Sequence, residues 1–223
     1  MKKLATLFVA LVASVSTFAQ VEKGTFTLQP MVGMNVSSLS GKGMSNGKYD
    51  ITFGSKVGIV GGVEAGYQIT DRLGVSLGVL YSNQGAKLKL PAETESSCDN
   101  SLKITQHALN IPVLVNFYVW KGLAVKAGVQ PGFALSTKVT GDVSYNGKTL
   151  LSADKLNSIA DLDDYTNTFS LSIPVGVSYD FNFGLTVDAR YNIGVTNVVK
   201  DDNTSIYGKG SAFQITVGYK FKL

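Results

Sequence analysis

His107 is the single histidine of this 223-residue chain and Cys98 the single cysteine. The side chains that most often serve as bases, nucleophiles and soft metal ligands are thus present once each. A nucleophile, base and orienter must lie within reach of one another, and a transition-metal site needs several nitrogen or sulfur ligands. The chain supplies neither set, so no catalytic residue, cofactor-binding residue or metal ligand is expected, and no enzyme activity. Asp161, Asp163 and Asp164 are spaced for calcium, but the glycine and glutamate of a twelve-residue calcium loop are missing. Gly58, Gly61, Gly62 and Gly66 imitate a phosphate-binding loop. Such a loop opens a helix, whereas these glycines interrupt a run whose apolar residues recur at every second position.

Four charged residues stand out for their parity. Glu64, Lys126, Asp188 and Arg190 all fall on the polar face of alternating segments, five to eight residues from the nearest short turn. At strand spacing this puts them at similar height. If those segments close into a barrel, two acids and two bases form one layer, a structural charge network that fills a narrow lumen.

The elements that would position them are strands. Phe26, Leu28, Pro30, Val32, Met34 and Val36 oppose Thr27, Gln29, Gly33 and Asn35, with only Met31 out of step. The same period of two runs through Val57 to Ile69, Leu73 to Ser82, Leu109 to Val119 and Leu123 to Leu135. It resumes in Phe169 to Phe181, Leu185 to Val195 and Phe213 to Leu223. That makes eight strands, each long enough to cross a hydrocarbon layer at a tilt. One face is apolar; the other carries Gly, Ser, Asn, Gln and charge, as expected of a lumen rather than a soluble core.

Connections alternate in length. Thr70-Asp71-Arg72, Trp120-Lys121-Gly122 and Asn182-Phe183 are tight turns, while residues 37–54, 91–103, 137–167 and 199–210 read as extended polar loops. Tyr67, Phe117, Trp120, Tyr179, Phe181, Phe183, Tyr219 and Phe221 lie near the short-turn ends. Tyr81, Phe133, Phe169 and Phe213 lie nearer the loops, which gives two aromatic girdles. The predicted fold is all-β, an eight-stranded antiparallel transmembrane up-and-down β-barrel with four long extracellular loops. Cys98 falls in the second loop. His107 shares the parity of Leu109 and Ile111, which assigns it an interfacial position. Within the third loop, Leu156, Ile159 and Leu162 predict a short amphipathic helix capped by Ser152.

Lys2, Lys3, the apolar run Leu4 to Val15 and Thr17-Phe18-Ala19 read as a signal peptide, residues 1–19, followed by a barrel domain, residues 20–223. Removing it lowers Lys+Arg from 20 to 18 against 16 Asp+Glu, and the net charge falls from +4 to +2. That scattered excess excludes nucleic acid as an expected partner.

Three segments carry a family resemblance: Leu109-Asn110-Ile111-Pro112-Val113-Leu114-Val115, Arg190-Tyr191-Asn192-Ile193-Gly194-Val195-Thr196-Asn197, and Gly218-Tyr219-Lys220-Phe221. In this order they resemble the Bacteroidetes outer-membrane β-barrel family called PorT-like. The resemblance implies an outer-membrane location and a barrel of this size, without a settled activity. The alternating end at Phe221-Lys222-Leu223 resembles the signal read by barrel-assembly machinery, with leucine in place of the commoner final phenylalanine. The expected protein is a non-enzymatic, monomeric outer-membrane barrel. Its partners are outer-membrane lipid, the assembly machinery and an unknown extracellular ligand, and its loops are displayed for adhesion, defence or envelope interactions. A narrow channel or solute-binding lumen is the alternative; a barrel hydrolase would rest on His107 alone.

Overall fold

The computed structural model describes residues 22–41, 52–89, 101–140, 142–145, 148–152, 168–196 and 208–223. They form twelve strands: β1 (Phe26–Gly41), β2 (Thr52–Gln68), β3 (Leu73–Lys89), β4 (Ser101–Asn110), β5 (Val113–Trp120), β6 (Leu123–Thr140), β7 (Asp142–Tyr145), β8 (Lys148–Ser152), β9 (Phe169–Asp180), β10 (Leu185–Gly194), β11 (Gly208–Tyr219) and β12 (Phe221–Lys222). β4 and β5 are two halves of one stave, β11 and β12 of another, and β7 pairs only with β8. The eight staves follow one another antiparallel. β1 then pairs with β11 from Met31↔Gly218 to Gly41↔Gly208, and Thr27↔Lys222 continues that seam. The sheet is a closed barrel with no free edge, the arrangement that satisfies every strand's backbone without water.

The alternation orients the wall as expected. Val32 at 68% and Ile59 at 62% exposure stand on the outer face with Met34, Val57, Leu77, Val79, Val129 and Ile215. Asn35, Glu64, Ser82, Asp188, Arg190 and Thr216 are buried inside. This is the reverse of a water-soluble interior and fits a barrel whose solvent is hydrocarbon.

The short turns are set by local chemistry. Between β2 and β3 the Thr70 Oγ1 accepts hydrogen bonds from the backbone N–H of Arg72 (3.3 Å) and Leu73 (3.0 Å), a hydroxyl-closed turn. Between β5 and β6, Lys121 takes a positive φ of 39° to make the two-residue reversal with Gly122. Between β9 and β10, Gly184 has φ 93°, and a Cβ there would lie 2.7 Å from Cζ of the Tyr219 ring.

Several sequence expectations need correction. The strands reach further into the loop regions than read: β1 runs to Gly41, β2 starts at Thr52, β4 at Ser101 and β11 at Gly208, and β6 runs to Thr140. Polar residues there alternate too weakly to signal a strand, but their backbones still pair with a neighbour. The third loop contains the β7–β8 hairpin, and Ser152 ends β8 rather than capping a helix. Cys98, the three aspartates, the rest of the expected helix and residues 1–21 lie outside the described residues. Met31, out of step with its neighbours, is buried with Val60 and Leu80 as a small apolar patch on the inner wall. The fourth stave is broken at Ile111-Pro112. Proline has no N–H to donate, and its carbonyl instead accepts from Gly78 N (2.9 Å) while Ile111 N donates to Pro131 O (2.8 Å). A bulge pairs His107 with Ser136 but Ala108 with Ala134. One residue is thereby inserted, the parity of β6 reverses, and Thr137 turns to the lumen while Lys138 stays exposed.

Candidate functional site

The lumen is crossed by charge. Glu64 comes from β2, Lys126 from β6, and Asp188 and Arg190 from β10, each at most 5% exposed. In the circular strand order, β2 is a neighbour of neither β6 nor β10, so contacts among them span the interior. Lys126 Nζ lies 2.7 Å from Asp188 Oδ2 and 3.7 Å from Glu64 Oε2. Arg190 grips Asp188 with two parallel bonds, Nε to Oδ1 at 2.6 Å and Nη2 to Oδ2 at 3.0 Å. Its Nη1 meets Glu64 Oε1 at 2.5 Å as an ion contact off the hydrogen-bonding direction. Each carboxylate therefore faces both cations, and the cluster is neutral. The four residues singled out by parity are brought into one cluster.

Glycine makes room for it. Gly176 pairs with Lys126 on one side and Arg190 on the other, and an added Cβ would lie 2.8 Å from Arg190 Cα. Gly78 faces Glu64, whose Cγ would be 2.7 Å from a Cβ there. A Cβ at Gly176 would press on the β10 backbone that carries Arg190, and one at Gly78 would occupy the space of the Glu64 side chain.

A second cluster lies one layer nearer the short turns. The Tyr118 hydroxyl donates to Asp180 Oδ2 at 2.9 Å, and Thr186 Oγ1 donates to Asp180 Oδ1 at 3.0 Å. Lys220 forms an ion pair with Asp180 and also approaches the Tyr118 hydroxyl at 3.3 Å. Lys220 sits at the break between β11 and β12, so this group ties the closing stave to β5, β9 and β10. The sequence reading missed it, although the inward parity of Asp180 and Lys220 was visible. Which inward residues meet depends on the stagger of eight strands, which no single segment reveals.

Replacing Asp180 by alanine leaves the Lys220 ammonium and two hydroxyls without their shared acceptor. The expected cost is about 1.5–3 kcal/mol, the range for hydrogen bonds to a charged group. Urea unfolding of the vesicle-inserted protein, with Tyr118→Phe as the milder comparison, measures it.

His107 is on the outer side of β4, as its parity indicated, with Nδ1 2.5 Å from the Tyr81 hydroxyl and the two rings 5.9 Å apart. Neither ring meets a carboxylate in these contacts, so the pair is placed as part of the loop-end aromatic girdle, beside Phe133 and Phe169, whose rings pack edge to face. Among the described residues, no group of three or more His, Cys, Asp or Glu is placed to hold a metal ion. The short-turn girdle is denser: Phe26 packs on Tyr67, Tyr179 on Phe181, Phe181 on Phe183, and Tyr219 on Phe221.

Residues 18–200 match a family described as an outer membrane protein β-barrel domain. No curated protein matches the chain. Among solved structures it is similar to Ail, the attachment invasion locus protein of Yersinia pestis. That similarity has 14% identity and a TM-score of 0.49, and covers 89% of this chain and 99% of that one. It is also similar to Neisserial surface protein A, with 16% identity, TM-score 0.45, and 89% and 97% covered. OprG of Pseudomonas aeruginosa gives 14% identity, TM-score 0.45, and 92% and 99% covered. At these scores the similarities bear on neither partner nor activity. The family match spans most of the chain, and the chain belongs to the outer membrane protein β-barrel family.

Proposed function

We propose that this protein is a closed-lumen, non-enzymatic outer-membrane barrel that serves as a rigid platform for its four interstrand loops. The observation that supports this reading is the neutral ion cluster of Glu64, Lys126, Asp188 and Arg190, which joins opposite walls of a lumen only wide enough for side chains. A blocked lumen leaves the loops as the part free to vary in chemistry, for adhesion, defence or envelope contacts. In this reading the chain is a PorT-like protein of the Bacteroidetes. It is exported with cleavage after Ala19, inserted by barrel-assembly machinery and monomeric in outer-membrane lipid, with the short turns toward the periplasm.

A second reading, a narrow solute pathway, draws on Gln29 Nε2, Asn35 Oδ1 and Gln214 Nε2, buried lumen atoms with no protein partner. Such atoms are costly when dry and favour a hydrated lumen. Display predicts that a membrane-impermeant thiol reagent labels Cys98 on intact cells. Labelling only after the outer membrane has been opened would invert the topology and remove the loops from the outer surface.

A further inference from the structure

Above the ion cluster, on the loop side, the lumen opens into a cavity of about 100 Å³. One water needs ~10–15 Å³ of such space, so the cavity holds roughly seven to ten waters, or a solute with a similar number of non-hydrogen atoms. Most side chains of its lining carry a hydroxyl or an amide, while carbon atoms make up the larger part of its wall. Ser37, Gln84, Gln106, Ser170, Ser172 and Ser211 form the wall, and Asn110, Gln130 and Asn192 lie deeper. Among the described residues, Leu171 and Ala212 are the apolar side chains of the lining, and no lining residue is charged. Lys56, toward the loop end of β2, is engaged through Nζ with Asn83 Oδ1 (2.6 Å) and Gln84 O (3.4 Å). Arg190 and Lys126 below are engaged by the two carboxylates.

Two deep amides are incompletely satisfied. Gln130 is 4% exposed and Asn192 5%, yet Gln130 Oε1 and Asn192 Oδ1 have no hydrogen-bond partner in the protein. A buried carbonyl oxygen without a donor is costly, and a rotation of the terminal amide would offer it to the cavity.

We propose that this vestibule is a binding site for a small neutral polyhydroxylated solute, of the size of glycerol to a pentose. Hydroxyl groups donate to the orphan amide oxygens and accept from the amide N–H and serine O–H groups. Among the described residues an anion finds no free cation in the lining, and an apolar solute would leave the two orphan amide oxygens without a donor. The ion cluster lies beneath the deep amides and closes the lumen there, so the site is a dead-end pocket rather than a pathway. This inference does not rest on loop display.

Saturation-transfer NMR tests it on the refolded full chain in a sugar-free detergent, with xylose as probe and glycerol as competitor. Inorganic phosphate and n-butanol serve as comparisons. The expected result is transfer to xylose with millimolar affinity, the range of a small ligand held by a few hydrogen bonds in a wet cavity, displaced by glycerol. Ser172→Phe, which fills the cavity, should weaken binding by about tenfold or more, the loss of one good anchoring contact or greater. Asn192→Leu, which removes one orphan amide, should weaken it several-fold. Heat-dependent electrophoretic mobility confirms that each variant is folded; should Ser172→Phe not fold, Asn192→Leu decides. Absence of transfer to xylose in the wild type, undiminished transfer in a folded variant, or tighter binding of phosphate or butanol would overturn the site.

Discussion

Replacement of Arg190 by alanine is expected to lower the unfolding free energy of the membrane-inserted barrel by about 3–5 kcal/mol, the loss on breaking a buried ion pair from one side. Arg190 is 1% exposed and makes two bonds to Asp188 and an ion contact to Glu64. Its removal leaves two buried carboxylates facing only the Lys126 ammonium. Had the four groups been separately solvated, each pair would contribute at most about 1 kcal/mol, as surface pairs do. The two cases are therefore separated by the magnitude alone. The same coupling predicts that Glu64→Ala with Lys126→Ala costs less than the sum of its singles, because the double change removes one acid and one base together. Strict additivity in reversible urea unfolding would mean that Glu64 and Lys126 do not interact.

The outer face gives the second large effect. Ile215 lies mid-way along β11, 48% exposed, between Met34 of β1 and Ala189 of β10 in the register. In lipid, Ile215→Arg is expected to cost about 2–4 kcal/mol, the price of a cation near the middle of a barrel's apolar belt. On a water-facing surface the same substitution would stay within about 0.5 kcal/mol. Ile215→Leu, which preserves the apolar surface, should be near neutral. Unfolding in phospholipid vesicles measures both, and a negligible arginine cost would put Ile215 in water.

Most of the wall was legible because a period of two assigns each residue to a face without knowledge of its partner. Glu64, Lys126, Asp188 and Arg190 were found in this way, and their similar distance from the short turns was enough to place them in one layer. The reading failed where the backbone departs from simple alternation. The Pro112 break and the bulge that turns Thr137 inward depend on cross-strand pairing, and Met31 followed its inward position rather than its apolar type. The Tyr118, Asp180, Thr186 and Lys220 cluster joins four staves near their ends. Its members were visible on the inward face, but the strand stagger that makes them meet was not. The orphan amides of the vestibule were hidden for a related reason, since satisfaction of a side chain depends on groups from several strands at once.

Planar-bilayer recording of the refolded wild-type chain tests the sealed lumen most directly. The ion cluster of Glu64, Lys126, Asp188 and Arg190, with every member buried, predicts insertion without stepwise conductance in monovalent salt. Steady, ohmic single-channel steps from the wild-type barrel would contradict it and establish an open, hydrated pore.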